Sequence, residues 1–196
     1  MLAWSERFAT HIELVDTQHK RLFDLLNLLA DSFQKDGPSD ALVDDALQQL
    51  VAYADKHFSE EEELMNAHKL DARHVSLHKM EHHSFMYDVE RLWTHLTTEE
   101  ELMDVTEKLV SFITSWLTYH ILGMDQIMAA QIFAVEEGMT PEQAYDNRHT
   151  VHYDAVVTRM MLNSVLELWH NSMTRCHKLE DKVAILQEQL NALQEQ

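Results

Sequence analysis

Along four stretches of this chain apolar residues recur at steps of three and four, the spacing that lines one face of an α-helix. Leu22, Leu26, Leu29 and Phe33 follow His19 on the first stripe, and Asp16 stands before it as a predicted N-cap. Gly37-Pro38-Ser39 ends that helix and caps the next. The second stripe runs Val43, Leu47, Leu50, Ala54, His57, Glu61 and Leu64. A break between Asn66 and Asp71 leads to the third: Val75, His78, His82, Phe85, Val89, Leu92 and Leu96. Thr98-Glu-Glu-Glu101 reads as a capping box that opens the fourth, with Leu102, Val105, Leu109, Ile113, Trp116 and His120. Residues 1 to 15 lack this order and read as an irregular arm lying across the helices. Four amphipathic helices with short connections predict an all-α, antiparallel up-down-up-down four-helix bundle over residues 1–137.

Gly138 closes the fourth region, and Thr140-Pro141-Glu-Gln143 supplies an N-cap, a proline at the first helical position and a capping-box glutamine. No further Gly or Pro follows, so residues 138–196 read as a C-terminal helical extension, by default one long helix with a break possible near Asp146-Asn147. A heptad runs through it, with Leu162, Trp169, Cys176, Val183 and Leu190 at a and Val165, Ser172, Leu179, Leu186 and Leu193 at d. Residues 140 to 160 are expected to pack on the bundle, where Met160, Met161 and Trp169 offer contacts. Residues 176 to 193 are expected to form a parallel two-stranded coiled coil that makes a homodimer. The coil reaches Gln196 without a stop signal, which suggests a linker to a further module.

Composition narrows the class. Three Gly and two Pro in 196 residues fit long helices. Thirty-four acids against 15 bases give a formal charge of −19, which disfavours nucleic acid and anionic membranes as partners. The single cysteine, Cys176, suits a reducing, cytoplasmic setting, and no run of about 18 apolar residues is present to span a membrane. The 14 histidines are the unusual feature. Each predicted bundle helix carries metal-ligand types on its apolar face: His19; His57 and Glu61; His78 and His82; His120 and Asp125.

Buried imidazoles and carboxylates are costly unless paired or metal-bound. Five histidines and two carboxylates exceed the roughly four ligands of a zinc ion and suit two bridged ions of iron or manganese. On the third helix His78 and His82 continue the apolar stripe, whereas His74 drifts off it and His83 points away. His11, His68, His95, His149, His152, His170 and His177 read as ordinary surface or contact residues. Asp125 lies roughly 140° round an ideal helix from His120, so it reaches the same centre only by bridging two ions or through a local widening of the helix. The acidic run Glu60 to Glu63 reads mostly as a solvated face.

Asp16-Thr-Gln-His19-Lys, His57-Phe-Ser-Glu-Glu61, His78-Lys-Met-Glu-His82-His-Ser-Phe85 and Trp116-Leu-Thr-Tyr-His120-Ile-Leu-Gly-Met-Asp125 occur in order, one motif per helix. With them, residues 1 to about 133 resemble the bacteriohemerythrins. The resemblance implies two non-haem Fe ions, oxo/hydroxo- and carboxylate-bridged, that bind O2 reversibly. It implies His78, His82 and His120 on one iron, His19 and His57 on the other, Glu61 and Asp125 between them, and Leu117 over the open position. Domains of this family occur joined to signalling modules such as diguanylate cyclases. The sequence is therefore expected to be a non-enzymatic sensor of O2, or of another small diatomic ligand or redox state. O2 storage or delivery and a di-iron oxidase or peroxide-consuming enzyme stand as rivals.

Overall fold

The computed structural model describes residues 2–32, 40–93 and 99–194 of the chain. The four bundle helices are α1 (Glu13–Asp31), α2 (Asp40–Ala67), α3 (Ala72–Trp93) and α4 (Glu99–His120). α1 packs on α2, α2 on α3, α3 on α4 and α4 on α1, which closes the ring of an antiparallel bundle. The predicted stop at Gly37-Pro38-Ser39, the stripe ends Phe33 and Leu96, and Thr98 of the predicted capping box fall outside the described residues. Leu22, Leu26, Leu29, Val43, Leu50, Val89, Leu109 and Ile113 are all at most 1 % exposed and form the core. At the end of α2 the inward position is Met65, fully buried, with Leu64 beside it on the flank.

α1 begins three residues before Asp16, with Ile12 as its N-cap. Asp16 is not a cap. Its carboxylate instead accepts hydrogen bonds from the Thr10 amide (2.7 Å), the Thr10 hydroxyl (2.8 Å) and the His11 amide (3.1 Å). That ties the N-terminal arm to the helix it precedes. Within the arm Glu6–Phe8 form one 3₁₀ turn, Phe8 is buried edge-on against Phe23 at 5.0 Å, and Leu2 exchanges hydrogen bonds with Asn27.

α4 runs without interruption through a π-helical segment, Ile121–Asp125, into α5 (Gln126–Glu136). Gly138, at φ 102°, then ends α5: its amide reaches Val135 O (3.0 Å) and that of Met139 reaches Ala134 O (2.9 Å), a Schellman closure. The capping box forms as the sequence predicts, between Thr140 and Gln143, and opens α6 (Pro141–Asp146).

The long helix read by default from Pro141 onward is not continuous; it breaks at the alternative site, Asp146-Asn147. Residues 148–150 make a 3₁₀ turn, residues 151–154 are irregular, and a new helix, α7, spans Ala155–Gln194. The physical reason is local. Asp154 accepts from the amides of Val156 (2.8 Å) and Val157 (2.7 Å), so it offers the backbone a helix start that competes with continuation from α6. α7 lies along α4, where Val157 and Ser164 are buried and Met160, Met161 and Leu168 pack on the core. Trp169 does not join this face; it is 62 % exposed. No helix among the described residues is long and apolar enough to cross a membrane.

Candidate metal centre

His19, His57, Glu61, His78, His82, His120 and Asp125 come from four helices and the π segment, yet each is at most 2 % exposed and all converge. The helical steps explain the convergence. His57 and Glu61, and His78 and His82, sit one turn apart on inward faces. The π segment does the rest: its wider turn swings Asp125 back toward His120, and Asp125 Oδ1 lies 3.2 Å from His120 Nε2.

Each carboxylate divides its oxygens between two groups of histidines. Asp125 Oδ1 faces His78 Nε2 (3.1 Å) and His120 Nε2, while Oδ2 faces His19 Nε2 (3.1 Å). Glu61 Oε2 faces His82 Nε2 (3.4 Å) and His78 Nε2 (3.6 Å), while Oε1 faces His57 Nε2 (3.6 Å) and His19 Nε2 (3.8 Å). Two adjacent nests result, one of Glu61, His78, His82 and His120 and one of His19, His57, Glu61 and Asp125.

The donor set fits metal ions on its own evidence. His78 Nε2 and His82 Nε2 approach His120 Nε2 to 3.0 and 3.1 Å, so three imidazole nitrogens point at one spot. Among the described residues, no hydrogen-bond partner meets either oxygen of Glu61 or Asp125, nor either ring nitrogen of His19. Buried groups of this kind are not left so in a stable core unless a cation satisfies them.

The opposing ring faces are held. Gln18 Oε1 lies 2.9 Å from His57 Nδ1, and its amide donates to Glu60. Glu81 Oε2 lies 2.9 Å from His120 Nδ1, and Glu62 Oε1 lies 3.4 Å from His82 Nδ1. Such partners fix which nitrogen carries the proton and leave Nε2 free to ligate. The acidic run is thus not simply solvated, because Glu61 is in the centre while Glu60 and Glu62 support it.

His74 requires a correction. It lies inward, 2 % exposed, with Nε2 3.4 Å from His78 Nδ1. It joins neither nest but backs a histidine that does. Burial, with His78 beside it, lowers its pKa to about 3, so it stays neutral and its Nε2 can accept a hydrogen bond from His78 Nδ1–H. Burial likewise lowers His57 to about 4. At His78 burial works the same way, but the carboxylates of Asp125 and Glu61 beside it outweigh it and raise the group to about 10. Both carboxylates are held low: burial opposes their charge, and the surrounding histidines overcome it.

Aromatic rings wall the site. Phe58 stacks on His82 (4.0 Å between centroids, 13° between planes) and Trp116 on His120 (4.2 Å, 15°). Leu117, 2 % exposed, sits in the same core cluster as Phe58 and Trp116. The sequence reading missed Gln18, Glu62, His74 and Glu81 as supporting groups. For His74 and Glu81 a signal existed, because each lies one turn or less from His78 or His82.

Residues 10–132 match the Hemerythrin HHE cation binding domain. The chain is 32 % identical over 141 residues to a bacteriohemerythrin of Pseudomonas paraeruginosa, covering 71 % of this chain and 84 % of that one. It is 28 % identical over 130 residues to a bacteriohemerythrin of Clostridium acetobutylicum, covering 64 % and 97 %. It is also 28 % identical over 122 residues to the myohemerythrin of Theromyzon tessulatum, covering 62 % and 86 %. No solved structure matches it significantly. With its paired nests of histidine and shared carboxylate, the chain belongs to the hemerythrin family and is a di-iron, O2-binding kind of protein.

Proposed function

We propose that this chain is a sensory domain that reads O2 at its di-iron centre and conveys the state of that centre along α7. His78, His82 and His120 would hold one iron and His19 and His57 the other, with Glu61 and Asp125 shared between them. Leu117, buried in the core cluster with Phe58 and Trp116, would shield the ligand position from water. The histidine-rich set carries less negative charge than carboxylate-rich di-iron oxidases, which disfavours high-valent chemistry and supports binding without catalytic turnover.

The observation that carries the sensory reading is at Gly123. It lies in the π segment between His120 and Asp125, and a Cβ placed there would stand 3.4 Å from Met161 Cε on α7. Gly123 stands three residues after His120 and two before Asp125, so a shift of either ligand would bear on α7 through this segment. Beyond this contact α7 presents an apolar stripe. Leu162, Val165, Leu179, Val183, Leu186, Leu190 and Leu193 are each between 43 % and 69 % exposed, on the a and d positions of the heptad. That stripe is suited to a second copy of the chain in a parallel coiled coil, through which the signal reaches an output. The a-layer residues Trp169 and Cys176 and the d-layer Ser172 make a poorly matched stretch, where register can shift at small cost.

Hydrogen exchange tests this reading. Amides of residues 157–168 should differ in protection between the diferrous and the O2-exposed protein. Equal protection in both states, with iron retained, contradicts a signalling role for α7 and favours O2 storage.

A further inference from the structure

Between α3, α4 and α7 lies a groove of about 410 Å³ that the metal centre does not use. Its volume is in the range of small-molecule sites. Phe112, Trp116 and Leu168 give it an apolar lining, and Trp116 is the ring that stacks on His120. The surrounding charge is the reverse of the chain's. In a protein of net charge −19, Arg91, Lys108, Arg175 and Lys178 line this one groove. The carboxylate present among them is Asp88, with Arg91 Nη2 at 3.2 Å and Arg175 Nη1 at 3.4 Å. The groove thus already holds one carboxylate between two guanidinium forks, with two ammonium groups near. In its wall Asn171 buries its amide nitrogen, a donor with no hydrogen-bond partner among the described residues.

We propose that this groove binds a small amphipathic anion, a carboxylate on an apolar chain or ring. The apolar body would lie on Phe112, Trp116 and Leu168, and the head would take its hydrogen bonds from Arg175 and Lys178. Guanidinium and ammonium groups at the mouth of a low-dielectric groove attract carboxylate far more strongly than a neutral head. The occupant would touch α4 and α7 together, so it would fasten the extension to the bundle. The proposal goes beyond the sensory reading and stands or falls independently of it.

Titration calorimetry of the iron-loaded full chain with decanoate tests it, with 1-decanol as the neutral counterpart. Saturable binding is expected, one decanoate per chain, at least tenfold tighter than 1-decanol. Arg175→Glu should weaken decanoate at least tenfold, while Leu186→Asp, far along α7, should leave it unchanged. Arg175 is 44 % exposed in its side chain, so its replacement leaves the core intact. Phe112→Ala should weaken decanoate and 1-decanol alike. Three results overturn the proposal: no saturable decanoate binding at millimolar concentration, equal affinity for acid and alcohol, or loss through Leu186→Asp with none through Arg175→Glu. The last would place the ligand on the exposed apolar stripe.

Discussion

Replacing Glu81 and His74, which touch nest histidines from behind but belong to neither nest, separates support of the centre from construction of it. Glu81 Oε2 lies 2.9 Å from His120 Nδ1, and His74 Nε2 lies 3.4 Å from His78 Nδ1. The first is a short, charge-assisted bond and the second a long contact to a neutral ring, so Glu81 should matter more. Loss of a partner behind a ligating histidine typically costs 10–100-fold in metal affinity, about 1.4–2.7 kcal/mol. Glu81→Leu should fall near the upper end, and His74→Leu, which keeps the buried volume, near the lower. His82→Ala, which removes a nest residue, should lose at least one iron outright. Competition of Fe(II) against a chelator under anaerobic conditions, followed as metal retained per chain, measures all three. If His74→Leu strips iron as completely as His82→Ala, His74 belongs to the metal set and the division between the nests and their supports is wrong.

Leu117→Ala should destabilise the fold by about 2–5 kcal/mol, as for a buried leucine, and should also speed autoxidation by admitting water and anions to the centre. Following the decay of the oxygenated spectrum at a temperature where the variant is folded checks it, and an unchanged rate removes Leu117 from the pocket. Gly123→Ala should be tolerated within about 1 kcal/mol in thermal melts, since the added methyl meets only the flexible end of Met161 at 3.4 Å. Gly123→Phe should instead raise exchange on residues 157–168 with iron retained; unaltered exchange there would break the proposed link. Truncation before Leu179 should weaken dimerisation in sedimentation while leaving iron content intact, and oxidation of the full chain should cross-link Cys176, exposed on the seam, to its twin. A full-length chain that sediments as a monomer contradicts the coiled coil.

The parts of this fold that the sequence made legible are those where one periodicity acts alone. The stripes through Leu22, Leu50, Phe85 and Leu109 needed only the helical step, and the capping box at Thr140 only local chemistry. Six of the seven ligand types were legible because each interrupts an apolar stripe, and Asp125 only through the motif it closes. What escaped depended on competition or on a third dimension. Asp16 satisfies the rule for a cap, but the arm's own amides claim its carboxylate. The break before α7 follows from Asp154 capping a new helix, which a count of Gly and Pro does not register. His74 leaves an ideal stripe, yet neighbouring helices still enclose it. The widening at Ile121–Asp125 was legible only as one of two alternatives: α-helical geometry alone separates His120 from Asp125, and the requirement that both reach one centre decides for the wider turn.

The central claim is that the buried cluster is a di-iron centre that takes up O2 reversibly. Its most direct test is an oxygen titration of the anaerobically reconstituted diferrous protein, with uptake and absorption followed together through repeated cycles of exposure and removal. The account predicts uptake equivalent to the chain, appearance of bands in the near ultraviolet, and recovery of the diferrous spectrum when O2 is withdrawn. Absence of uptake at full iron loading, or sustained consumption of O2 with a reductant over many turnovers, would contradict it.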